Sequence, residues 1–365
     1  MVAKTNQYNP TMVFHPGETL EEKLDEMGMG PKEFAIRTGK PEKTVFAILK
    51  GKSSITPEMA VQFEHVLKIP AHFWLNKQRH YDEYVARNER REMLKESEKW
   101  AKNFPLKEMQ KKGWIPETKS IEEKTAALLA FFSFSSHTAW ENYYFNQQLK
   151  VAFSISLADT SQPYALSAWL RKGELKAAQL KSKPYSDYKF KIALENIKSL
   201  MVQHPSDFFE QLQHYCLDAG VKVVHTSSLP KAPVSAAARW LNDHTPLIQL
   251  ANRYKRNDIF WFTFFHEAGH ILLHGKKDIF LEDIYYTDLD RKKEQEANDF
   301  AIKWTFAKEQ LEEMMNDLPI AEEDIPTYAV KYNTHPAIIV GRLQHLRQIP
   351  YSVGGKFFQI IEFGH

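Results

Sequence analysis

One cysteine in 365 residues, Cys216, is too few for an internal disulfide, and its isolation excludes a disulfide-stapled secreted scaffold and a thiolate zinc finger alike. Long apolar runs are also missing. The densest stretch, Ile259 to Phe265, falls far short of the roughly 18 residues that a membrane-spanning helix needs. The opening MVAKTNQYNPTMVFHPGE has no apolar core of the kind that directs secretion, so a cytoplasmic chain without membrane attachment is expected. Net charge is nearly absent: 48 basic against 46 acidic side chains leave +2, which argues against a uniformly basic nucleic-acid binder. What remains, 43% hydrophobic and 26% charged, is an ordinary globular chain long enough for two or three domains.

Charge read locally gives a different picture. Residues 14–75 hold eight basic and nine acidic side chains, yet Arg37, Lys40, Lys43, Lys50 and Lys52 cluster against a single acid, Glu42. The same region is punctuated as a series of short helices. One is expected over Thr19–Glu26. A second opens at Gly30-Pro31, where proline's missing N–H is no loss, and stops at Gly39, which takes a left-handed cap cheaply. A third runs from Pro41-Glu42 to Lys50-Gly51. A fourth opens on Thr56-Pro57-Glu58, an N-cap followed by a first-turn proline and an acid that suits the helix dipole. Phe34, Ala35, Val45, Ile48, Leu49, Met59, Ala60, Phe63 and Leu67 supply the apolar stripe of a small bundle. Helix, Gly39 turn, helix is the spacing of a DNA-reading helix-turn-helix, with Glu42, Lys43 and Thr44 at the end that would face base edges. A plain bundle with solvated lysines accounts for the same composition.

The segment from HPGE through the helix pair, LKGK and ITPEMA to HFWLN and QRHYD resembles the Cro/repressor-type domain of HigA-like plasmid-maintenance antidotes over about 70 residues. The resemblance implies operator DNA read by a homodimer through Glu42, Lys43 and Thr44, with Lys32, Lys50 and Lys52 placed for phosphates; Lys40, in the basic strip, is a further candidate DNA contact. Glu42 fits imperfectly, since a carboxylate accepts from a cytosine amino group but repels phosphate. Residues 87–112 then carry nine Lys or Arg against five Glu at helical spacing, the pattern of a solvated helix or of a dimerising or backbone-binding one. FPLKEMQKKGWIP, at 104–116, punctuates the chain like a domain boundary.

The chemistry is concentrated in NDIFWFTFFHEAGHILLHG. In His266-Glu267-Ala268-Gly269-His270 the two histidines are four apart, on one helical face, and can grip a single zinc ion. Glu267 is one residue round from the first ligand, where it can take a proton from a water whose pKa zinc lowers towards about 7. Burying two histidines and a glutamate among Phe, Trp, Ile and Leu without a partner is costly, and a metal resolves that cost. His274 lies a full turn beyond the pair on a continuous helix, too far to complete the same tetrahedron, and reads as a supporting or packing residue. The following KEQEANDFA offers better candidates: Glu294 and Asn298 are four apart, so one can ligate while the other supports a ligand histidine, with Glu296 as fallback. His335 and Arg342, in THPAIIVGRLQ, are candidates for stabilising an oxyanion, although a capped turn before an apolar helix explains them too. Cys216, at helical spacing in FFEQLQHYCLDAG, reads as a core residue.

GVKVVHTSSLP, SAAARWL, the HEAGH helix, EQEANDFA and HPAIIVGRLQ resemble the ImmA/IrrE metallopeptidase family, over roughly 165–350 when WLRKGELKAA is included. The resemblance implies zinc held by His266, His270 and Glu294, with Glu267 as general base. IKWTFAKEQ, after EANDFA, departs from the family pattern and bears on packing, not on the metal chemistry. The expected architecture is therefore multidomain: an all-α helix-turn-helix domain at 1–82, a charged helical bridge at 83–116, a mainly helical middle at 117–215 and an α+β zincin-like metallopeptidase domain at 216–365. Such a chain would be an antitoxin-like transcriptional regulator that cleaves a repressor, a toxin or itself, with a cognate toxin as a further partner. The rival expectation is a non-proteolytic repressor whose zinc domain senses or scaffolds.

Overall fold

The computed structural model describes residues 13–147, 163–230, 234–251, 255–274, 280–281, 288–316, 321–361 and 363. The chain divides into two compact units, 1–96 and 97–365.

The first unit contains α1 (Pro16–Glu26), α2 (Pro31–Thr38), α3 (Glu42–Leu49), α4 (Pro57–Leu67) and the start of α5 (Ala71–Ala101). Helix α1 begins three residues earlier than expected because His15 caps it, Nδ1 accepting from the Gly17 N–H at 2.9 Å, with Pro16 in the first turn. Gly39 ends α2 at φ 65°, the left-handed conformation the sequence expects of it, and Thr56 Oγ1 accepts from the Met59 N–H to start α4. Phe34, Val45, Ile48, Ala60, Phe63 and Leu67 form the core. Trp74, fully buried on α5, closes it edge-on against Phe63 at 5.9 Å, a contribution from beyond the predicted stripe.

The division at 96/97 falls inside α5, which also runs unbroken through 82/83. The physical reason is local: Ala71–Ala101 contains neither Pro nor Gly, so nothing in it stops a helix.

The second unit opens with α6 (Leu106–Lys111), α7 (Ile121–Phe132) and α8 (His137–Glu141), followed by a short π-helical segment. Trp100, Phe104, Phe132 and Trp140 build an aromatic cluster here. Residues 117–215 fall in the same unit as the C-terminal part. Then come α9 (Pro163–Gln179), α10 (Asp187–Gln203), α11 (Phe208–Asp218), β1 (Lys222–His225), β2 (Ala236–Asn242), β3 (Thr245–Leu250), α12 (Asn257–Leu273), β4 (Phe280–Leu281), α13 (Asp288–Thr305), α14 (Lys308–Met315), α15 (Ile325–Lys331) and α16 (Pro336–His345). The strands form one small sheet in the order β1-β3-β2-β4, with β1 parallel to β3 and the other pairs antiparallel.

Buried polar groups tie α9 to this sheet. Gln249 Nε2 donates to the Trp169 carbonyl at 2.7 Å, and Arg239 Nη2 donates to the Leu170 carbonyl at 2.7 Å. Helix α12 is covered on all sides, the burial expected of a helix that is apolar all round. Gly269 is what lets α13 approach it: a Cβ there would stand 3.2 Å from Phe300 Cβ and 3.3 Å from Ala297 Cα. Trp304, in the segment that departs from the family pattern, stacks on Phe265 at 5.7 Å.

Candidate metal centre and helix-turn-helix

Three ligand atoms converge between α12 and α13. His266 Nε2 lies 2.9 Å from His270 Nε2 and 3.2 Å from Glu294 Oε2, and His270 Nε2 lies 3.4 Å from Glu294 Oε1. A tetrahedral zinc site with bonds of 2.0–2.2 Å separates its ligands by about 3.3 Å, so these spacings fit. Among the described residues, this is the group of three His, Cys, Asp or Glu ligand atoms close enough for one ion. Helical spacing supplies the two imidazoles, and the close approach at Gly269 supplies the carboxylate.

The outer nitrogens of both imidazoles are engaged. His266 Nδ1 is 3.0 Å from Asn298 Oδ1, one turn along α13 from Glu294. His270 Nδ1 is 2.9 Å from His274 Nδ1, and His274 Nε2 is 3.1 Å from Glu296 Oε2. With neutral rings, Asn298 Oδ1 accepts from His266. Glu296 accepts from His274, whose Nδ1 then accepts from His270. Each bond favours the tautomer that points an Nε2 lone pair inward, towards Glu294. Glu296, the fallback ligand, therefore holds His274 and does not join the cluster.

Electrostatics agree for His270 and Glu294. Burial pulls the His270 pKa down to about 4, against the opposing pull of Glu294, so its ring is neutral at physiological pH. Burial alone would raise the Glu294 carboxyl, but in acid the hydrogen bonds and charge of protonated imidazoles outweigh it and hold it at about 2. Two neutral imidazoles and one carboxylate are the donor set a divalent ion requires. Glu267, next to His266 on α12, is fully buried.

Of the weaker candidates, His335 caps α16, its Nδ1 accepting from the Ala337 N–H at 3.1 Å, which is the capped-turn alternative. Cys216 is fully buried, and burial pushes its thiol up, away from thiolate chemistry. Arg342 lines a cavity of about 570 Å³ that also includes Asn298 and Thr263, a feature with no signal in the sequence.

In the first unit, Glu42 and Lys43 are exposed and Thr44 is half-buried at the start of α3. Lys50 and Lys52 are exposed beyond its end. Lys32 Nζ stands 3.8 Å from Glu42 Oε1. Lys40 Nζ is bound to Glu58 Oε1 at 2.7 Å, and 15% of its side chain is exposed.

Residues 207–343 match the IrrE N-terminal-like domain, Peptidase_M78. The N-terminal region is 36% identical over 63 residues to an uncharacterized HTH-type transcriptional regulator, YddM, of Escherichia coli K12, covering 17% of this chain and 67% of that protein. The chain belongs to the HTH-type transcriptional regulators and carries an IrrE-like domain. Solved structures similar to this regulator include a HigA-family addiction-module antidote from Coxiella burnetii, at 31% identity, covering 30% of this chain and all of that one with a TM-score of 0.21. Another is the Pseudomonas aeruginosa antitoxin HigA with its higBA promoter, at 30% identity, covering 20% of this chain and 83% of that one with a TM-score of 0.20. The IrrE-like match begins at residue 207, so α9 and α10 lie outside it although α9 is bonded to the sheet.

Proposed function

We propose that this regulator joins operator-DNA binding by residues 1–82, as a homodimer, to zinc-dependent, site-specific proteolysis by residues 216–365. The observation that carries the reading is the convergence of His266, His270 and Glu294 at tetrahedral spacing beside the buried Glu267. His266, His270 and Glu294 would hold zinc, whose Lewis acidity, when bound, polarises a peptide carbonyl and lowers the pKa of water. Asn298 and the His274–Glu296 pair fix the two imidazoles. Glu267 is the general base: it takes the proton from the attacking water and passes it to the leaving amine. The apolar walls around α12 exclude bulk water and strengthen these interactions.

The proposed substrate is a repressor, a toxin or the chain itself, and the proposed setting is the cytoplasm. No helix among the described residues is long and apolar enough to cross a membrane. For DNA, the supporting features are the α2–Gly39–α3 geometry, the exposed Lys43, Lys50 and Lys52, and the relationship to an HTH-type regulator.

Glu267→Gln tests the enzyme reading, because it keeps the ligands and removes the base. Comparing the proteins that accumulate in cells carrying the wild-type and variant chains should reveal a substrate cleaved only by the wild type. Cleavage that persists unchanged in the variant would sink the peptidase, and repression altered without any change in cleavage would favour a sensor or scaffold.

A further inference from the structure

The cavity between α12, α13 and α16 shares Asn298 with the metal cluster but has its own chemistry. At about 570 Å³ it is the size of a small-molecule site. Ile259, Phe262, Ile302, Ile338 and Leu346 give it apolar walls. Of its charged lining residues, Arg256 and Asp258 neutralise each other through two bonds of 2.9 and 2.7 Å, and the Arg256 guanidinium is further held 3.5 Å over the Phe358 ring.

Arg342 is different. It is half-buried, its Nε–H is shielded from solvent and meets no acceptor, and among the described residues no carboxylate lies within 4 Å of its guanidinium. Asp299 attracts it from a distance, but that carboxylate is bonded to Lys308 Nζ at 2.7 Å. Burial pulls the guanidinium's pKa down, the signature of a cation short of compensation. A planar fork of donors in an apolar cavity matches a carboxylate better than any neutral group.

We propose that this cavity binds an organic carboxylate carried on an apolar stem, with Arg342 receiving the carboxylate. The stem lies along Ile259, Phe262 and Ile338, while Gln295 and Thr305 offer further polar contacts at the wall. The carboxylate belongs either to a free organic acid or to an acidic side chain of a bound peptide. The proposal stands on the cavity and not on the peptidase reading, and binding is measured without turnover.

The test is titration calorimetry on the full chain and on Glu267→Gln, with hexanoate and 3-phenylpropanoate set against their primary amides. A second arm compares acetyl-Ala-Glu-Ala amide with its glutamine counterpart. The acids should bind at least tenfold more tightly than the amides, and Arg342→Met should erase that preference. A preference confined to the free acids identifies a small-molecule site, and one confined to the glutamyl peptide identifies a substrate side chain. Equal binding of acid and amide in both arms, no binding in either, or a preference that survives in Arg342→Met overturns the proposal. If Arg342→Met fails to fold, the acid-to-amide ratio of the wild type decides.

Discussion

His270 presents Nδ1 to Nδ1 of His274 at 2.9 Å, although the two belong to different backbone regimes: α12 ends at Leu273 and His274 is extended at its cap. The cap thereby joins the proposed metal centre: Glu296 holds His274, and His274 contacts His270. His274→Ala should weaken zinc binding about 10- to 100-fold without changing helix content. Competition against a chromophoric chelator measures this, and an unchanged affinity would reduce His274 to a packing residue.

Lys40 and Lys43 should separate in DNA binding. On duplexes selected from a random pool by the wild-type chain, Lys43→Ala and Thr44→Ala should each weaken binding, Thr44→Ala by about 1–3 kcal/mol and with relaxed sequence preference. Lys40→Ala should have little effect, because its amine is committed to Glu58. Salt-dependent titrations distinguish a phosphate contact from a base contact, and full affinity and specificity in both Lys43→Ala and Thr44→Ala would remove α3 as the reading helix.

Acid should destabilise the second unit through buried neutral histidines. Burial, with a smaller push from His335, lowers His204 to about 4, while burial, with Lys176 and Lys112, lowers His225 to about 3. In the unfolded chain both return to about 6.5, so between these values the unfolded state binds more protons and stability falls with falling pH. The contribution is intact above pH 6.5 and is lost progressively towards pH 4. His204 also accepts from Trp261 Nε1–H at 3.0 Å and sits at φ 40°. His204→Asn tolerates that backbone and cannot titrate, so its melting temperature should fall less between pH 7.5 and 5 than that of the wild type. A parallel fall would exclude His204 as a source of the acid sensitivity.

The parts of the site written in local periodicity were legible in the sequence. His266, Glu267 and His270 share a helical register, and Glu294 and Asn298 are a turn apart on the next helix, so one contacts the cluster and the other an imidazole nitrogen. His274, four residues after His270, read as a supporting residue, but its pairing across helices with Glu296 was not legible. Lys40 looked like part of a basic strip because its partner Glu58 is eighteen residues away. The cavity around Arg342 needs three helices to meet, which no single segment encodes, although the Arg256–Asp258 pair at its wall is local. In the first unit, capping residues announced the helices, but Trp74 joined the core from a helix whose charged exterior suggested a solvated bridge.

The account rests on His266, His270 and Glu294 holding one metal ion, and zinc stoichiometry of the purified chain tests that most directly. Elemental analysis after dialysis against zinc-free buffer should find one zinc per chain in the wild type and in Glu267→Gln, and none in His270→Ala at unchanged helix content. Zinc retained at full stoichiometry in His270→Ala, or absent from the wild type after zinc loading, would contradict it.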